Sequence, residues 1–276
     1  MDEIDVAGMR IAYERTGTGP PLILLHGFVG DGRSTFRHQI ADLSDEFTVV
    51  AWDGPGAGRS ADPPESFRMP DYADCLAGFV HMLGLGRPHV VGLSFGGALA
   101  IELFGRHPGV PASLGLAGAY AGWAGSLPPD SVDQRLRLSM QAADLPADRF
   151  VATLLPTMFS KSVSAAKVDE FAASVAEFHP AGFRAMALAS AQSDLRDVLP
   201  RIDVPTLLLY GDEDARAPLN VAHALHAAIR TSKLVVLSGV GHVSSVEAAD
   251  RFTTEVRDFL RESERRSHYE APGASR

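Results

Sequence analysis

The sequence predicts a mostly parallel, doubly wound α/β sheet that carries a helical insertion. Three observations lead there. Short apolar runs recur between longer helical patterns, most of these runs are apolar throughout, and the rhythm lapses once, between residues 120 and 197. Strand–helix–strand alternation implies parallel neighbours joined by right-handed crossovers. A strand with no polar face is one covered by helices on both sides.

The elements follow in chain order. Residues 4–6 and 9–15 suit a hairpin over Ala7-Gly8, an antiparallel edge. Residues 21–25 (Pro-Leu-Ile-Leu-Leu) form a buried strand bounded by Pro20 and Gly27. Residues 47–52 form the next, stopped by Asp53-Gly54-Pro55-Gly56. A helix over 72–83 places Tyr72, Leu76, Phe79, Val80 and Leu83 on one stripe. The strand at 89–93 runs into a helix at 98–106, and 113–116 is a weaker strand. From 120 to 197 the pattern is helical and rich in large apolar residues, among them Trp123, Phe150, Phe159, Phe171 and Phe183. Alternation resumes with strands at 206–210 and 234–237, and a helix over 246–260 closes the domain.

This organisation gives a core of residues 1–119 and 198–263, a helical cap of 120–197 over the carboxyl edge of the sheet, and a flexible tail of 264–276, which is charged and contains Pro and Gly. Composition narrows the function. The chain has 46% hydrophobic residues, enough for a sizeable core. Its single cysteine, Cys75, excludes an intramolecular disulfide framework and any Cys-rich metal site. A net charge of −9 without a basic cluster argues against a nucleic-acid partner. The acidic first residues lack the pattern of a signal peptide, and no stretch reaches the roughly 18 apolar residues of a membrane helix. A cytoplasmic location and no membrane partner are therefore expected; oligomeric state is left open.

The chemistry centres on Gly92-Leu93-Ser94-Phe95-Gly96, between a strand and a helix. A serine on such a sharp turn has strained backbone and an exposed hydroxyl, and its flanking glycines let strand and helix approach. A serine hydroxyl needs a base. Of the ten histidines, His242 stands out, just after the last strand and at the edge where the serine turn lies. An acid must orient the imidazole, and Gly211-Asp212-Glu213-Asp214 follows the 206–210 strand at that same edge. The glycines of His26-Gly27-Phe28-Val29-Gly30 allow a backbone N–H to turn toward the serine. The backbone N–H groups of Phe28 and Phe95 are the expected oxyanion donors.

Taken together these blocks, with Asp53-Gly54-Pro55-Gly56-Ala57-Gly58-Arg59-Ser60, resemble the α/β-hydrolase superfamily over about residues 4–261. The resemblance implies the α/β-hydrolase fold, and it implies that the acid is Asp214, the third residue after the loop glycine, with Asp212 as the alternative. It also matches 120–197 to a cap insertion. The Ser94 nucleophile separates the chain from branches with Asp at that position. Leu-Ser-Phe-Gly-Gly at 93–97 is most similar to 3-oxoadipate enol-lactonases and small carboxylesterases. Leu93 and Val243 depart from the Asn and Trp common in carbon–carbon bond hydrolases of this fold.

The other features have plainer readings. His26 ties loops together, Asp53 braces its own loop, and Cys75 is a small buried side chain. The glycines at 54–58 form a turn, since no helix follows to bind a dinucleotide. His223 and His226 share a helical face without a third ligand. No cofactor and no metal are expected. The expected function is that of a cofactor-independent serine hydrolase cleaving a small or medium apolar carboxylic ester or lactone through an acyl-enzyme. Phe28, Phe95 and Trp123 line its acyl pocket. Carbon–carbon bond hydrolysis, acyl transfer, perhydrolysis and a triad-retaining small-molecule receptor remain as alternatives.

Overall fold

The computed structural model describes residues 1–270. Eight strands form one sheet in the order β1-β2-β4-β3-β5-β6-β7-β8. β1 (Asp2–Val6) and β2 (Met9–Thr16) are the antiparallel hairpin expected over Ala7-Gly8, and β2 pairs antiparallel with β4 (Thr48–Trp52). The remainder is parallel: β4 with β3 (Pro21–Leu25), then β5 (His89–Leu93), β6 (Ser113–Ala117), β7 (Thr206–Gly211) and β8 (Ser232–Leu237). Every residue of β4, β5, β6 and β7 is buried, as fully apolar strands between helical layers must be. β8 departs from that expectation. It is the edge strand and is only partly covered, with Val236 40% exposed.

Helices cover both faces of the sheet. α1 (Gly32–Leu43) packs with α9 (Ser244–Glu247) and α10 (Ala249–Glu270), and α2 (Met69–Met82) packs with α3 (Phe95–Arg106). α1 has no counterpart in the sequence reading, for two reasons. Its buried stripe includes the polar residues Thr35 and Gln39, and it breaks at Phe36, where φ is −127° and ψ 22°. Gln39 belongs inside because its Nε2 donates to Ser245 O and Thr253 Oγ1, both at 3.1 Å. The end of the chain also differs from expectation. The apolar stripe stops at Leu260, yet α10 continues to Glu270, so 264–270 is helix rather than tail. Glu264 in this stretch reaches His89 Nε2 at 3.0 Å, and Glu262 pairs with Arg266 one turn on. The rest of the expected tail, 271–276, lies outside the described residues.

Between β6 and β7 the chain forms α4 (Pro129–Ala142), α5 (Ala147–Leu154), α6 (Ala165–Ala176) and α7 (Pro180–Gln192). Their apolar residues pack largely as rings. Phe150 stacks on Phe178 with centroids 3.6 Å apart, and Phe183 meets both edge-on. α8 (Leu219–Ala228) joins β7 to β8.

Candidate active site

Four loops at the carboxyl ends of β3, β5, β7 and β8 converge here, where open α/β sheets bind ligands. Ser94 sits between β5 and α3 with φ +53°; among the described residues Ala7 is the only other non-glycine with positive φ. Such a backbone costs about 1–3 kcal/mol and persists only where its surroundings impose it. Here the Ser94 N–H donates to Ala117 O at 2.8 Å, and its carbonyl accepts from Gly97 and Ala98. A side chain at Gly92 would run into the Gly96 carbonyl, and one at Gly96 into the Leu25 carbonyl. The glycines of the motif are therefore demanded by the turn itself, which leaves Ser94 partly exposed between buried neighbours.

His242 and Asp214 meet as a buried pair, with Nδ1 2.7 Å from Oδ2. The other Asp214 oxygen accepts the N–H groups of Arg216 and Ala217, each at 2.8 Å. Burial pushes the Asp214 carboxyl up. The charge and hydrogen bond of His242, with the two backbone donors, outweigh that and hold it below the usual aspartate range. An ionised carboxylate can only accept, so Nδ1 carries a proton, and in the neutral imidazole this makes Nε2 the acceptor. Asp212 is exposed and turned elsewhere, accepting from Gly239 N at 2.6 Å. The structure thus sets Asp214, and not Asp212, against His242.

One residue at this pair escaped the sequence reading. Gly118 follows β6 at φ +50°, and a Cβ there would lie 3.1 Å from His242 Nδ1 and 3.3 Å from Asp214 Oδ2. Both the left-handed backbone and the lack of space select glycine, but nothing in its neighbours Ala117 and Ala119 marks it.

The loop after β3 passes directly against the serine, since a Cβ on Gly27 would lie 3.7 Å from Ser94 Cβ. His26 fixes that loop. Its Nε2 accepts the Gly54 N–H at 2.9 Å, so Nδ1 carries the proton donated to Gly27 O at 2.7 Å. Asp53 braces the facing loop by accepting from Gly32 N and Arg59 N. Cys75 is buried, and burial pushes its thiol up to about 12.

Phe28, Ser94, Phe95 and Trp123 line one pocket, so the structure brings together those four expected site residues. Phe28 packs on Phe183 at 4.3 Å and edge-on to Trp123 at 5.8 Å. The same pocket is lined by Arg135 and Arg216, which the expectation of an apolar acyl pocket did not include. They lie 81 residues apart in the chain, and no local pattern links them.

A family model described as the alpha/beta hydrolase fold matches residues 20–249. The chain belongs to this family. The AB hydrolase superfamily protein YisY of Bacillus subtilis (strain 168) is 30% identical over 255 residues, covering 89% of this chain and 93% of that one. Among solved structures, a thermophilic esterase from Thermogutta terrifontis superposes with a TM-score of 0.87 at 29% identity, over 95% of this chain and 99% of that chain. The enol-lactonase from Burkholderia xenovorans LB400 gives 0.86 at 25% identity, over 94% and 99%. These neighbours bear out the resemblance to enol-lactonases and small esterases. Among the described residues no helix is long and apolar enough to cross a membrane.

Proposed function

We propose that this family member is a cofactor-independent serine hydrolase that cleaves a small or medium carboxylic ester or lactone through an acyl-enzyme. The observation that carries the reading is the buried His242–Asp214 pair at the sheet edge that holds Ser94 in a strained turn. Ser94 Oγ attacks the carbonyl carbon while His242 Nε2 takes its proton. Asp214 stays ionised and holds the imidazolium. The N–H groups of Phe28 and Phe95 stabilise the tetrahedral oxyanion, the second from the N-terminus of α3. His242 returns the proton to the leaving alcohol, and water, deprotonated by the same imidazole, releases the acid. The helices between β6 and β7 act as a cap, with Trp123, Phe28 and Phe95 against the acyl group.

The similarity to an esterase and an enol-lactonase supports this substrate class. A fluorophosphonate probe tests the nucleophile: mass spectrometry is expected to find the adduct on Ser94. An intact protein without adduct, or one modified at another residue, would overturn the reading.

A further inference from the structure

Arg135 on α4 and Arg216 in the loop after β7 are both half-buried, and they stand at one place. Arg135 Nη1 donates to Tyr120 Oη at 2.9 Å and Nη2 to Arg216 O at 3.2 Å, with the guanidinium over the rings of Tyr120 and Trp123. Arg216 Nη1 donates to Thr157 Oγ1 at 2.9 Å. Among the described residues neither guanidinium has a carboxylate within ion-pair distance, although Arg is abundantly paired elsewhere on this acidic chain. Each guanidinium offers five N–H donors, so several remain unused.

Their position is as informative as their charge. Both side chains line the small pocket beside Ser94, about 10 Å³, with room for about one water. Both also line a groove of about 490 Å³ on the other side, with Gln134, Leu138 and Thr153. Arg135 and Arg216 are the two residues that both spaces share, so they stand between the groove and the pocket lined by Ser94. Burial and the like charge of Arg135 push the Arg216 guanidinium down, and only Tyr120 and Asp214 act in the other direction. The Asp214 carboxylate is already engaged by His242 and two backbone N–H groups. Two like charges with unused donors beside a pocket suit an anion, and paired guanidiniums suit the planar carboxylate in particular.

We infer that the substrate is an ester or lactone that itself carries a carboxylate, and that Arg135 and Arg216 hold this group while Ser94 attacks the carbonyl a few carbons away. The inference rests on the serine-hydrolase reading for its reacting bond, but not for the anion site. Arg135 and Arg216 are then specificity residues, contributed one by the inserted helices and one by the sheet core.

The test compares esters of equal length that differ in charge: monoethyl glutarate against ethyl valerate, with Ser94→Ala as the blank. Kd for glutarate is measured separately by calorimetry on Ser94→Ala. The wild type is expected to favour the anionic ester by about 10- to 100-fold in kcat/KM, the usual range for charge-assisted hydrogen bonds. In Arg135→Gln/Arg216→Gln that preference collapses, and glutarate binding weakens by a similar factor. A wild type that prefers ethyl valerate, or a double variant that keeps the preference, would overturn the inference. If no ester is cleaved, the serine-hydrolase reading fails, and calorimetry alone decides the anion site: binding lost in the double variant supports it, and no binding removes it. Should the double variant not fold, the wild-type charge preference and glutarate binding still give the answer.

Discussion

The loops at the carboxyl edge of the sheet and the helices inserted between β6 and β7 face the same pocket, yet they are built differently. In the loops, hydrogen bonds hold the main chain. Ser94 is locked by hydrogen bonds to Ala117, Gly97 and Ala98, and His26 and Asp53 hold the neighbouring turns through main-chain N–H groups. In the insertion, side chains pack on side chains, as in the rings of Phe150, Phe178 and Phe183, and Arg135 rests over Tyr120 and Trp123. The first construction leaves no room for a side chain at Gly92 or Gly96. The second accepts many combinations of apolar residues of similar volume. On the proposed reading, reaction geometry belongs to the loops, and substrate choice to the insertion together with Arg216 of the loop after β7.

The largest test of this division is Ser94→Ala. Removing the proposed nucleophile is expected to lower ester turnover by about 10³-fold or more, since binding and oxyanion stabilisation alone leave only a residual rate. Circular dichroism and melting temperature should show the fold retained or slightly stabilised, because alanine keeps the backbone while removing a hydroxyl. Wild-type turnover in this variant would end the assignment of the chemistry to the loops.

Next in size is the contrast of two aspartates two positions apart. Asp214→Asn replaces the acceptor for His242 Nδ1–H by an amide that can favour the wrong tautomer. Its expected loss in kcat is about 10²- to 10⁴-fold. Asp212 is exposed and caps a turn at Gly239, so Asp212→Asn should remain within about threefold of wild type, as surface changes usually do. Steady-state kinetics on both variants checks this, and the reverse ranking would move the acid to Asp212.

That contrast also shows where the sequence is legible. The glycines around Ser94 can be read because the turn leaves room for no side chain, so geometry constrains residue type within five consecutive positions. Choosing Asp214 over Asp212 came from the family resemblance, since both follow the strand at the right edge. Gly118 was silent because its constraint comes from His242 and Asp214, distant in sequence. Arg135 and Arg216 were silent for the same reason, since a pair that meets only through α4 and the loop after β7 leaves no spacing to detect. α1 was hidden by Gln39, whose burial is compensated by partners more than 200 residues away.

Trp123 probes the insertion's share. It is buried at 6% exposure, edge-on to Phe28 and under Arg135. Trp123→Ala should shift the chain-length profile of kcat/KM by about tenfold between short and long acyl groups, because each buried CH₂ contributes about 0.8 kcal/mol. Its burial also predicts a stability loss of about 3–5 kcal/mol, seen as a lower melting temperature. A stability loss with an unchanged profile would make Trp123 a packing residue and place substrate choice elsewhere in the insertion.

The smallest expected effect lies where the two constructions join. Glu247 is a buried carboxylate on α9. One of its oxygens accepts the Gly241 N–H at 2.9 Å, immediately before His242. The carboxylate also accepts the Ser160 N–H and hydroxyl from the inserted segment. The N–H groups of His242 and Val243 in turn donate to Met158 O, so the histidine loop is stapled to the insertion by both backbone and side chain. Glu247→Leu removes the acceptor and leaves the Gly241 and Ser160 N–H groups unpaired, at a cost of about 1–3 kcal/mol. Because Glu247 touches neither Ser94 nor the pocket lining, its effect must pass through the position of His242. We expect kcat to fall by roughly 3- to 10-fold with KM little changed, a disturbance of transition-state geometry rather than of substrate binding. Steady-state kinetics with the melting temperature checks it. A lower melting temperature with unchanged kcat would show that the histidine loop holds its position without the insertion, and the two regions would then be independent at the catalytic centre.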